Sequence, residues 1–271
     1  MRKLLIIFLS IIVLCSFSAV SFAIEKPKSL VQKEYLQYNI YYHKGFIWIK
    51  AGRGSLALNE EKMADGKTLM HGILQGRSLN IVETFFTVRD TIDTWFTPEY
   101  IPIEYRKATN EGSYKAIETM KYKTFFKGQE KTISNVDSTL VEIVKERKKY
   151  GTDSAQMRQD GIAYDMFSIL YHVRSLDYEN MKLDKVMRFP IFDGTNRKVV
   201  KMTFKGQTET KLRGGGMVTG FQVDLAFDVE GEDGVPMNVW LSTDKAHVPL
   251  NIVIHLKRIG SIQCEIAQEE K

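Results

Sequence analysis

Cysteine is scarce in this sequence. There are two, Cys15 and Cys264, and Cys15 falls in an N-terminal leader, so no intramolecular disulfide can form in the chain beyond it. Stability must therefore come from a hydrophobic core, which the roughly 248 residues beyond the leader are long enough to bury. A strong charge of either sign is missing too. Against 38 Lys and Arg stand 33 Asp and Glu, and losing Arg2 and Lys3 with the leader leaves a net charge of about +3. That is too mild to argue for nucleic acid. The basic run Lys145-Glu146-Arg147-Lys148-Lys149 is broken by an acid and has no interleaved aromatics, so it reads as a solvated face.

Catalytic signatures are also lacking. No Gly-x-Ser-x-Gly elbow occurs, and Ser242, Asp244 and His247 lie too close together, on a strand end and turn, to form a nucleophile, base and orienter. Gly214, Gly215 and Gly216 imitate part of a phosphate loop, but a strand rather than a helix comes after them, which makes them a turn. The five histidines, His43, His71, His172, His247 and His255, sit singly without the spacing of a zinc site. The expectation is no catalytic residue, no metal and no cofactor. No carboxylate pair stands out; Glu111 reads as a turn residue within reach of Arg106 or Arg89.

The leader itself has the parts of an export signal. Arg2 and Lys3 open it, Leu4 to Leu14 form an apolar core too short to span a bilayer at about 20 residues, and Ser21-Phe22-Ala23 is a small-x-small cleavage site. The mature chain is expected to begin at Ile24, in the periplasm, as one mostly-β domain over 24–271 with no transmembrane anchor. The bulky Leu14 before Cys15 argues against lipidation there.

Beyond it the chain reads as strand after strand. Leu36, Tyr38, Ile40 and Tyr42 share one face, and Gly52 and Gly54 suggest a bulge or bend. Leu79 to Val88 reads as a strand buried on both sides. A Trp-bearing strand spans Thr91 to Phe96, Ser113 to Phe126 is half wet, and Thr139 to Val144 adds one more. Lys145 to Gln159 is polar enough to read as an exposed loop. The clearest alternation, Met217, Thr219, Phe221, Val223, Leu225, Phe227, Val229, calls for a long strand with one buried face. Cys264 falls on the apolar side of a last strand as a small buried hydrophobe.

One segment breaks the pattern. From Asp160 to Tyr178, Ile162, Met166, Ile169, Leu170 and Val173 recur at three- and four-residue steps, with Phe167 and Tyr171 widening the apolar face. This predicts an amphipathic helix over about 161–176, capped by Asp160. A strongly curved antiparallel sheet, half-barrel or barrel-like, wrapping that helix is the expected fold. Ion pairs from Arg89 or Asp90 to Asp165 or Arg174 would dock it. The chain's 11 Met, 15 Phe, 12 Tyr and 3 Trp suit either a filled core or a shape-tolerant apolar cavity.

Five stretches together resemble an exported bacterial family, domain of unknown function 3108. They are Tyr38 to Tyr42 through Gly54; Val88-Arg89-Asp90 with the Trp strand; Asn110 to Tyr114; the Asp-x-x-Ser-x-x-Tyr-x-x-Arg pattern from Asp165 to Arg174; and Val239 to Asp244 through Pro249 to Ser261. Where the family often has Ser-Asp-Asp, this chain has Ser242-Thr243-Asp244. The resemblance implies no established activity, but an architecture similar to periplasmic lipoprotein and lipid carriers. Met166, Phe167, Leu170, Trp95 and Phe221 are then expected to line a hollow for a lipid or other amphipathic ligand, with Arg89, Asp90, Asp165 and Arg174 as polar anchors. The other readings are a scaffold for an envelope protein partner and an envelope hydrolase.

Overall fold

A computed structural model describes residues 33–194, 196–228, 236–256 and 259–267. The leader, its cleavage site, Cys15 and the expected turn at Gly231 to Gly234 lie outside those residues. Strands β1 (Lys33–Lys44), β2 (Ile47–Lys62), β3 (Thr68–Ser78), β4 (Arg89–Phe96), β5 (Pro102–Glu111), β6 (Tyr114–Phe126), β7 (Val136–Arg147) and β8 (Gly151–Asp160) come first. A helical segment comes next, and then β9 (Val186–Asp193), β10 (Asn196–Lys211), β11 (Met217–Asp228), β12 (Met237–Leu241), β13 (Pro249–Leu256) and β14 (Gly260–Ile266).

All fourteen join one antiparallel sheet in the order β8-β7-β6-β5-β4-β3-β2-β1-β14-β13-β12-β11-β10-β9. Each strand pairs with its sequence neighbours, except that β8 and β9 form the two edges, and β1 and β14 meet at the centre. The sheet curls until its two edges approach. Between them runs the segment after β8, where the Tyr164 N–H donates to the Pro190 carbonyl at 2.9 Å and the Phe192 N–H to the Tyr164 carbonyl at 3.3 Å. The Gly194 N–H donates to the buried Glu118 carboxylate at 3.2 Å, adding a second tie from the β9 end to β6.

The helical element is shorter than its periodicity suggests. Apart from a single turn, α1 (Asn80–Glu83), the described chain has one α-helix, α2 (Ser168–Arg174). Asp160 ends β8 rather than capping the helix, and Gly161 turns the chain at φ +74°. The cap is Asp165. Its Oδ1 accepts from the Phe167 and Ser168 N–H groups at 2.7 and 2.9 Å, while Ser168 Oγ accepts from the Asp165 N–H at 3.2 Å. That is the reciprocal logic of a capping box. Ile162 to Tyr164, before the cap, lie outside the helix because Tyr164 bridges to β9 at the sheet's edge, a demand that overrides helix periodicity.

Two further expectations need correction. Lys145 to Gln159 is not a loop: β7 runs on to Arg147 and β8 forms a hairpin with it. Its charge is what an edge strand carries against unwanted pairing, with Arg147 bound to Asp153 across the pair. Leu79 to Val88 is not a buried strand. β3 ends at Ser78, α1 comes after it, and Ile81 and Phe85 stand 69% and 85% exposed; a short apolar run does not by itself distinguish strand from helix. Strand β10 is continuous through Gly206, with a bulge after Phe204.

Candidate functional site

The inner face of the sheet is not filled throughout. Around α2 it is: Ile169 and Val173 pack with Phe189, Met202 and Leu241, and Phe167 and Tyr171 with Leu58, Met70 and Phe96. Further along β1 the packing stops, leaving a cavity of about 460 Å³, within the range of small-molecule sites. Tyr38, Ile40 and Tyr42 of β1, Ile252 and Ile254 of β13, and Cys264 of β14 form one wall; Met166, Ile169, Leu170 and Val173 close the end at α2. The lining is almost wholly apolar. Several of these residues, Ile40, Ile252, Ile254 and Cys264 among them, are only partly buried although they face inward, because the space they face is empty.

Glycine makes the room. Column β3 points Met70, Gly72, Leu74, Gly76 and Ser78 inward. A Cβ on Gly72 would lie 2.1 Å from a ring carbon of Phe167, whereas one on Gly76 would meet nothing within 4 Å. Gly76 pairs with Gly54 on one side and Asp90 on the other, so a side-chain-free strip leads across the floor to an acid.

Asp90 is only 3% exposed and lines the cavity. Its Oδ1 accepts from the Asn110 N–H at 2.7 Å, and its Oδ2 is buried without a hydrogen-bond partner. Burial raises its carboxyl above the usual range. Glu111 stands behind it, and burial first, then the Asp90 charge, push Glu111 up to about 7. Lys107, opposite Ile92 in the β4–β5 register, acts on both in the other direction. Glu111 is therefore one of an interior acid pair and not a turn residue paired with Arg106 or Arg89. Proximity of the two acids depends on the β4–β5 register, which no local spacing reveals.

At the far end from α2 the cavity reaches the β1–β2 hairpin and α1, since Ile49 and Val82 both line it. This rim is apolar and wet: Phe46 is 95% exposed, and Ile47, Ile49, Ile81 and Phe85 are exposed beside it.

Of the expected lining residues, Met166 and Leu170 face the cavity. Phe167 is spent filling the space at Gly72. Phe221 packs against Tyr178 at 5.5 Å between ring centres. Trp95 is on the outer face, stacked on His71 and donating to Glu61 at 3.3 Å, because β4 points Ile92, Thr94 and Phe96 inward. The expected anchors divide likewise. Asp165 is wholly buried and accepts from Thr94 Oγ1 at 3.0 Å. Arg174 forms a two-pronged pair with Glu34 of β1, both contacts 2.7 Å, and its Nε donates to the His247 carbonyl at 3.1 Å. Tyr171 Oη donates to the same Glu34 at 2.6 Å. Neither Arg89 nor Asp90 touches the helix: Arg89 pairs with Glu83 in solvent.

The apparent hydrolase cluster is a turn. Ser242 Oγ donates to Asp244 Oδ1 at 2.9 Å, and His247 Nδ1 lies 2.6 Å from the Arg174 carbonyl instead of facing the serine. The glycine turn likewise holds the chain's own acid, Glu265, whose Oε2 accepts from the Gly214 N–H at 2.9 Å.

A family model described as protein of unknown function (DUF3108) matches residues 37–266. The chain belongs to that family. A search of curated proteins finds no match. Among solved structures, a β-barrel-like protein of domain of unknown function DUF1849 from Brucella abortus is similar, with a TM-score of 0.54 over 89% of this chain and 98% of that one at 9% identity. At that identity the likeness concerns the fold alone. The DUF3108 sheet, curled but not closed, is of the same barrel-like kind.

Proposed function

We propose that this DUF3108 protein is an exported, non-enzymatic carrier that holds an apolar or amphipathic ligand, a lipid or acyl chain of the envelope, in the cavity between α2 and the β1–β2 hairpin. The observation that carries the reading is a roughly 460 Å³ apolar space under the curled sheet, next to the side chains packed around α2. An empty apolar space of that size costs contacts that a ligand restores. Each Å² of ligand surface taken from water contributes roughly 25 cal/mol, so no reacting group is needed for affinity. The exposed apolar rim at Phe46 and Phe85 sits where such a ligand would enter. The leader sequence supports export to the periplasm.

The test is binding of the neutral fluorophore N-phenyl-1-naphthylamine to the mature chain. The carrier reading expects saturable uptake in the micromolar range, about −8 kcal/mol, weakened tenfold or more by Gly76→Phe, which puts a ring into the empty strip. Absence of saturable binding, or equal binding by the variant, would count against it.

A further inference from the structure

The cavity has one polar flaw. An apolar wall that accepts any hydrocarbon has no need of a buried carboxylate, and burying one unpaired is costly. Yet Asp90 faces the hollow with Oδ2 buried and without a fixed donor: its other oxygen is used by the Asn110 N–H, and its neighbour Glu111 can donate to it only while it keeps its proton. The approach to it along the floor is clear: the neighbouring inward position is Gly76, whose side-chain space is empty, and the next is Gly54. The geometry thus leaves a straight floor from the apolar body of the cavity to a lone acceptor oxygen.

Resting on the carrier reading above, we infer that Asp90 is the head-group subsite of the cavity, and that the ligand is an amphiphile whose polar end donates a hydrogen bond, an amine or a hydroxyl, with its hydrocarbon lying toward α2. A donor supplies what Oδ2 lacks. A carboxylate head would instead meet an acid with another acid, Glu111, behind it. The charged groups acting on the subsite are these two acids and Lys107 across β4–β5; Arg77, exposed next to Gly76, also touches the cavity, and Arg89, opposite it in the β3–β4 register, is bound to Glu83. While Glu111 keeps its proton it eases the Asp90 charge. The single lysine does not outweigh two acids once that proton is lost, so discrimination against anionic heads sharpens as pH rises through about 7.

Competition at pH 8 tests this on the full mature chain loaded with N-phenyl-1-naphthylamine. Dodecylamine, dodecanol and dodecanoate share a chain and differ in head, and each is used below its micellar concentration. Amine or alcohol should displace the fluorophore at a concentration at least tenfold lower than dodecanoate. Asp90→Asn retains an oxygen for the Asn110 N–H and, with each displacement scaled to the variant's own fluorophore affinity, should shrink the amine-to-carboxylate ratio to threefold or less. A wild-type protein that prefers dodecanoate, or treats all three alike, overturns the subsite even if the variant fails to fold. A folded Asp90→Asn that keeps the full ratio overturns it as well. Failure of the wild type to take up the fluorophore at all is a different result, which removes the cavity reading beneath it.

Discussion

Gly72 and Gly76 lie in the same inward column of β3 and face opposite situations. At Gly72 a methyl group would collide with the Phe167 ring; at Gly76 it would enter empty space. Gly72→Ala should therefore cost about 1–3 kcal/mol or more in urea unfolding through overpacking, whereas Gly76→Leu should leave stability unchanged or raise it. Two buried titratable groups give pH slopes of opposite sign. Burial lowers His172 to about 4 from 6.5, so the unfolded chain binds more protons between those values, and stability falls as pH drops from 6.5 toward 4, by at most about 3 kcal/mol. Glu111, raised from 4.5 to about 7, binds its proton more readily when folded, so stability falls as pH rises from 4.5 through 7. Between about pH 4.5 and 6.5 the two slopes oppose each other and nearly cancel, so each should be read in the variant that lacks the other. In unfolding midpoints across pH 4–8, His172→Phe should uncover the fall in stability with rising pH that Glu111 causes, and Glu111→Gln the fall with dropping pH that His172 causes. The sequence alone marked His172 and Glu111 only as a helix residue and a turn residue, because burial by distant strands, not local context, sets both.

The short helix α2 depends on its ends rather than on its seven residues, which alone would be far below the length at which helices persist. Asp165, Ser168, Tyr171 and Arg174 are spaced by three, and the structure gives each a separate contact: cap, reciprocal cap, and two donors to Glu34. Glu34→Ala should destabilise by about 3–5 kcal/mol, since it strands a buried guanidinium. The double variant Glu34→Leu with Arg174→Met should recover much of that loss, which a double-mutant cycle in urea would read. Asp165→Ala should cost about 2–4 kcal/mol by removing a cap and orphaning buried donors. The existence of this element and its polar motif were legible in the sequence. Its start was not, since Ile162 matches the helical steps yet lies in the stretch to Tyr164 that bridges to the sheet's edge. Strands with a clear alternation, such as β1, were equally readable; the polar edge strand β8 was not, because an edge needs little apolar residue. Among the described side chains of the alternation on β11, Phe221 and Val223 are buried and Leu225 is on the cavity wall, while Met217 and Thr219 run beyond the core; Val229 lies outside the described residues.

At the scale of the whole molecule, a fourteen-stranded sheet curls around one end-anchored helix and leaves part of its concave face, along β1, β2 and β13, lining a cavity. The curl and the helix follow from strand count and amphipathicity, but the hollow does not: the same Met and aromatic residues could have met in the middle. Native mass spectrometry of the protein recovered without detergent from the cells that make it addresses the central claim most directly. The expected result is a chain beginning at Ile24 and carrying one small amphiphile, released on activation, whose head bears an amine or hydroxyl. A bare chain, or one accompanied by a protein partner and no small molecule, would contradict it.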